Sequence, residues 1–332
     1  MTKRLPAQNE VITVYTMNEH CIMNLGDIYT MMFGYMGQEL LREFGLRGEI
    51  AVREAARRFG RDRGATLREK HLSIGAKINM KNLFSLYPDL PSDPRFKREL
   101  QTLSPQERIS HTLFCPMAAI WESHGQKEIG RIYCEEFHPA CYSEYGYGYT
   151  SVNLARTQTQ ENDEYCSFRV ILRPADLPAE LRVKCFAEFD KDHREPDRRP
   201  ELFLSGKDGF EMLSIKLYSH LLVTAVEQIG EDAIPVIAVA LRKLAAETAL
   251  LLKRTSEEYN VLPDDVFIYE NVPISRRYEE RKDFWRGYDI CGAQSLWEKN
   301  FHIPLAELLL QQKGGISEHR PRRRFDAISF DG

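Results

Sequence analysis

The chain has 332 residues, 43% of them hydrophobic and 28% charged, with a formal net charge of -4 and a pI of about 6.2. That is an ordinary globular composition with enough apolar mass for two cores, and its slight acidity excludes a broad positive field for nucleic acid or an anionic membrane. The longest apolar stretch, 234–252, is broken by Arg242, Lys243 and Glu247, the start has no apolar secretion signal, and seven irregularly spaced cysteines make no disulfide framework; a cytoplasmic, non-membrane protein with reduced thiols is expected.

Along the chain, residues 10–17 (EVITVYTM) read as a short strand or arm because β-branched residues cluster there. From Asp27 the period becomes helical, with Ile28, Met31, Met32, Tyr35, Leu40, Leu41 and Phe44 on one face and Gly45 as the stop. A second helix is expected from about Glu49 to His71. Its arginines are interleaved with Glu49, Glu54, Asp62 and Glu69, which reads as a solvated face rather than a phosphate stripe. Prolines 88, 91, 94 and 105 mark a turn-rich connection around one short helix at 95–103. A strand at about 108–115 then meets Pro116, which suits the first position of a helix.

A helix over QKEIGRIYCEEF precedes the clearest β signal, a hairpin at about 148–173 whose polar turn is Glu161 to Glu164. That register makes Arg156 and Arg169 cross-strand neighbours, a like-charge pair that a bound carboxylate would relieve. Alternation at 182–189 predicts one more strand. The fold class expected is α+β, helix-rich with a small antiparallel sheet.

The expected organisation is an arm at 1–26, an α+β domain at 27–190, a linker at 191–209, a helix-rich degenerate repeat at 210–315 and a flexible tail at 316–332. The repeat aligns Gly45 with Gly230, Tyr87 with Tyr269, Cys115 with Cys291 and Trp121 with Trp297. It has no counterpart to Cys134, His138, Cys141 or Cys166, so chemistry is expected in the first copy, and a homodimer is the expected assembly.

Between 111 and 169 the chain concentrates His111, Cys115, Cys134, Glu135, Glu136, His138, Cys141, Cys166, Arg156 and Arg169. Cys134, His138 and Cys141 lie at i, i+4 and i+7, one face of an unbroken helix, although Pro139 disfavours helical backbone at His138. A thiol becomes a nucleophile beside a histidine or at a helix N-terminus; Cys134 meets the first condition and Cys115 the second. Cys166 shares a hairpin face with Phe168 and Val170 and reads as a core residue. P-loop, dinucleotide, G-x-S-x-G and H-E-x-x-H patterns are missing, and the cysteines lack paired zinc knuckles; no cofactor and no metal are expected.

The stretches CPMAAIWESHG, YCEEFHPACYSEY and LARTQTQENDEYCSFRVIL resemble the L-2-amino-thiazoline-4-carboxylate hydrolase family over roughly residues 27–175. The resemblance implies hydrolytic opening of a small cyclic amidine or amide at a C–N bond. On that reaction Cys134 is the expected nucleophile, with Cys115 the second choice. His138 is the acid and base, Glu135 or Glu136 orients it, Arg156 and Arg169 anchor a carboxylate, and His111 and Cys166 complete the substrate site. The alternatives are a non-catalytic small-molecule binding or sensing module and a zinc-dependent hydrolase.

Overall fold

The computed structural model describes residues 14–86, 92–194, 196, 204, 206–275, 280–313 and 323–324; the strand reading at 10–13, Tyr87 and most of the 316–332 tail lie outside these. Helix α1 spans Met17–Phe44, starting ten residues before Asp27. Thr16 and Glu19 form a reciprocal cap: Glu19 accepts from the Thr16 N–H at 2.7 Å, and the Thr16 hydroxyl accepts from the Glu19 N–H at 3.3 Å. Two otherwise orphaned donors are thereby satisfied. Gly45, with φ 53°, turns the chain directly into α2, Leu46–Ser73. Helices α7 (Gly206–Ile229) and α8 (Ala233–Tyr259) form a second hairpin through Gly230, φ 102°.

These four long helices are packed together. Helix α1 runs against α8, and α2 lies between α7 and α5, Lys127–Tyr145. Phe33, Phe59, Trp121, Tyr218, Leu241 and Phe301 belong to one buried apolar cluster. The two halves of the chain therefore share a core. Three of the seven arginines on α2 are not simply solvated: Arg53, Arg57 and Arg68 are ion-paired to glutamates of α5. Among the described residues, no helix is long and apolar enough to cross a membrane.

The sheet has four antiparallel strands in the order β1-β2-β4-β3: β1 Lys97–Leu103, β2 Glu107–Phe114, β3 Ser151–Arg156 and β4 Cys166–Ile171. Two local readings are corrected. RFKRELQTL is strand β1 and not a helix, because pairing along β2 overrides its helical propensity. Residues 182–189 are not a strand: α6, Ala179–Cys185, and a short 3-10 turn occupy them, burying Cys185 and Phe186 while leaving Val183 exposed. On α6, Leu181 and Cys185 pack against the same cluster four residues apart, a spacing that a period-2 reading mistakes for alternation.

The hairpin register also differs. Arg156 pairs with Ser167 and Arg169 with Asn153, so the two arginines are not directly opposite each other. A bulge between Leu154 and Arg156 and the inward anchoring of Cys166, Phe168 and Val170 set this register. Beyond the sheet, α3 (Met80–Ser85) packs against β2, and α4 (Pro116–Ser123) is fixed by Trp121, whose indole donates to the Thr30 carbonyl at 3.0 Å.

Candidate active site

Alternation along β1 and β2 puts Arg98, Arg108, Ser110 and Thr112 on the sheet face that also carries Cys166, Phe168 and Val170. Arg98 pairs with Thr112 and Thr112 with Cys166, making a row across three strands. Helix α5 covers this face with Cys134, His138 and Tyr142, at i, i+4 and i+8. The His138 ring meets Phe168 edge-on at 5.0 Å and Tyr142 at 5.8 Å. Helix α5 runs unbroken through Pro139. Cys141, three residues beyond His138, turns instead into the core beside α2.

Cys115 occupies the joint between β2 and α4 as the residue capping the Pro116-started helix. Gln158 holds that joint. Its side-chain carbonyl accepts from the Cys115 N–H at 2.8 Å, and its amide donates to the carbonyls of Leu113 and Glu164 at 2.9 and 2.8 Å. Its own backbone N–H points at the Cys166 sulfur, 3.3 Å away. Arg95, bonded to both Asp27 of α1 and Asp93, pins the start of β1 and so places Arg98.

The electrostatics separate the three thiols. Burial raises the Cys134 thiol far above its ordinary range, and the neighbouring Cys115 adds to the effect against a hydrogen bond from Thr159. Burial also pushes Cys166 up to about 11. Cys115 is raised by burial too, but the Ala118 and Met117 amides at the start of α4 and the Arg98 guanidinium all act in the opposite direction. Only this thiol has a helix N-terminus and an arginine together.

His138 is driven down to about 3, chiefly by burial and further by Arg63, Arg108 and Arg98, so it is a neutral imidazole at physiological pH. Among the described residues its Nδ1 is sealed from solvent without a hydrogen-bond partner, and so is the hydroxyl of Ser110 on the facing strand. Among the described residues neither Arg98 nor Arg108 has a carboxylate partner; they lie over the rings of Phe96 and Phe84 at 3.6 and 4.2 Å. Burial lowers both guanidiniums, and Arg108 lowers Arg98 further. Among the described residues these two cations have no counter-ion; Arg98 is exposed and Arg108 half-buried on one sheet face, so an anion could bind between them beside the orphaned polar atoms. Cys115, Cys134 and His138 are half-buried and Arg98 is exposed, so the cluster reaches the molecular surface.

Every residue of this cluster falls inside one matched segment. Residues 27–170 match the family model of L-2-amino-thiazoline-4-carboxylic acid hydrolase. No curated protein and no solved structure matches the chain. The match stops before α6, so it leaves α7 to the C-terminus outside it.

Of the residues singled out in the sequence, Cys115, Cys134, His138 and Cys166 are brought together and the others are not. Glu135 and Glu136 point away from His138: both accept from Arg53, at 2.9 and 2.8 Å, and Glu136 also from Arg57 at 2.7 Å. His111, Arg156 and Arg169 share the outer face of the sheet. There His111 contacts Gln101 and Tyr165, Arg156 lies over Tyr165, and Arg169 pairs with Glu107 at 2.7 Å.

Arg98, Arg108, Ser110 and Gln158 were missed. The signal for two of them was present: alternation along β2 puts Ile109 and His111 on one face and Arg108 and Ser110 on the other. The side of β2 that α5 covers is the one carrying these polar residues, and alternation by itself does not say which side is covered. Among the described residues, no three His, Cys, Asp or Glu side chains converge to hold a metal ion; the residues present do not fit the zinc arrangement.

Proposed function

We propose that the chain is a cysteine-dependent hydrolase that opens a small cyclic amidine or amide bearing a carboxylate, in the cleft between the sheet and helices α4 and α5. The observation that carries this is the unpaired Arg98 and Arg108 beside Cys115 and His138. The family match over 27–170 supports the reaction class.

Arg98 and Arg108 take the carboxylate in this reading, which offsets their mutual repulsion and orients the ring. Cys115 is the nucleophile in preference to Cys134, because the start of α4 offers two N–H groups to a sulfur anion while Cys134 has the Thr159 hydroxyl alone against its burial. The Cys115 sulfur adds to the ring carbon between the two heteroatoms. The bond from that carbon to the leaving ring atom breaks, and the leaving atom takes up a proton. Neutral His138 accepts the proton released by the thiol or by water and returns it. Water then displaces the sulfur, restoring Cys115.

The test is hydrolysis of 2-amino-thiazoline-4-carboxylate and related cyclic amidines by the full chain, followed by mass spectrometry. Cys115→Ser is expected to abolish ring opening, while Cys134→Ser keeps a measurable fraction. Full activity in Cys115→Ser would sink the assignment. The upward shift of the three cleft thiols favours a second reading, a small-molecule binding module; saturable binding of the thiazoline with no turnover by the unaltered chain would select it.

A further inference from the structure

On the far side of α2 from the thiols, a cavity of about 360 Å³ opens between α2, α7 and the turn at 287–290. Its lining includes Arg58, Arg61, His220, Val223, Tyr288 and Ile290. Behind it Asp62 accepts from three donors: Lys216 Nζ at 2.6 Å, His220 Nε2 at 2.9 Å and the Tyr288 hydroxyl at 2.7 Å. Burial opposes ionisation of Asp62, yet hydrogen bonds from His220 and Lys216, with the Lys216 charge, hold it well below the usual carboxylate range. None of these groups is used by the thiol cleft.

When the His220 ring carries a single proton, the Asp62 carboxylate keeps that proton on Nε2, which makes Nδ1 an acceptor. Among the described residues Nδ1 has no hydrogen-bond partner, and it is not sealed from solvent. The ring is held by Phe59 at 6.4 Å and by Tyr288 at 6.2 Å. At the same cavity Arg61 uses one terminal nitrogen on Glu54, and Arg58 uses Nε on Glu54 and Nη1 on Glu227. The second terminal nitrogen of Arg58, and Nε and Nη1 of Arg61, keep N–H groups with no protein partner among the described residues. The cavity thus presents guanidinium donors on one side and a positioned imidazole acceptor on the other, in a volume suited to a small ligand.

We propose that this cavity is a second ligand site, taking a small oxyanion that also carries a hydroxyl, such as monohydrogen phosphate or a phosphate monoester. The anionic oxygens accept from Arg58 and Arg61, and the hydroxyl donates to His220 Nδ1. This inference stands independently of the hydrolase reading.

The experiment follows the His220 imidazole by NMR in the full chain, its resonance assigned with His220→Gln, during titration with inorganic phosphate at mildly alkaline pH. A saturable shift is expected, and Arg61→Gln should weaken it about tenfold, the loss of one charge-assisted hydrogen bond, with an unchanged melting temperature. Sulfate, equally anionic but with no proton for Nδ1, should bind more weakly. Arg98→Gln, in the thiol cleft, should leave the phosphate response intact. No saturable response, an equal response to sulfate, insensitivity to Arg61→Gln or loss in Arg98→Gln would each overturn the proposal.

Discussion

Gly64→Ala tests the contact on which the cleft's geometry rests. Helix α5 carries Cys134 and His138 and lies against α2 at two glycines one turn apart. A Cβ on Gly64 would sit 2.2 Å from the Cys141 carbonyl oxygen and 3.0 Å from the Glu144 Cβ. On Gly60 it would sit 2.7 Å from the Phe137 oxygen. The oxygen is backbone and has no rotamer through which to escape, so the helices must part by roughly 1 Å, overpacking that costs about 1–3 kcal/mol. Exchanging Gly for Ala inside a helix returns about 1 kcal/mol. With the contact this short, the upper part of the range applies and the net loss is about 2 kcal/mol, a fall of about 3 °C in Tm for a chain of this size. Gly60→Ala should lose less, following its longer contact. The assay is thermal and urea unfolding of both variants beside the parent. An unchanged or raised midpoint in Gly64→Ala would refute the reasoning, because helix propensity would then outweigh a contact too loose to position α5.

Further outcomes follow from the same coordinates. The folded chain holds His138 at about 3 against 6.5 for the free side chain, so the unfolded chain binds its proton more readily; the stability from the neutral ring is complete above about pH 6.5 and falls as the pH drops toward 3, the loss reaching about 2 kcal/mol at pH 5. His138→Gln should therefore flatten the acid side of the stability profile measured by urea midpoints, and an unchanged slope between pH 6.5 and 4 would count against a neutral buried imidazole. Glu211→Ala removes the carboxylate that Lys207 and Arg281 share, at 2.9 and 2.7 Å, where the Lys207 and Glu211 side chains are 4% and 0% exposed; a loss of about 3–5 kcal/mol is expected, and a change below 1 kcal/mol would mean that the pair is solvated. Gln158→Ala frees the Cys115 N–H and two strand-end carbonyls. Iodoacetamide labelling of Cys115, followed by peptide mass analysis, should change its rate and pH profile while that of Cys291, exposed in the second half, stays the same.

Much of this protein was legible in the chain itself, wherever local physics decides. The helix stop at Gly45, the Pro116 start of α4, strand β2 and the existence of the 151–171 hairpin all rest on short-range rules of φ, capping and alternation. So does the gathering of Cys134 and His138 on one helix face, and the capping box at Thr16 was present to be read although the helix was started too late. Tertiary structure decided the rest. Strand β1 exists because β2 offers a partner, against the helical propensity of RFKREL. The inner side of the sheet is the side that α5 covers, and no period-2 pattern states which side that is; this exchanged Arg156 and Arg169 for Arg98 and Arg108. Glu135 and Glu136, adjacent to the thiol in sequence, were claimed by arginines more than seventy positions upstream on α2. A charge takes the nearest opposite charge in space, and only the packed fold sets that distance.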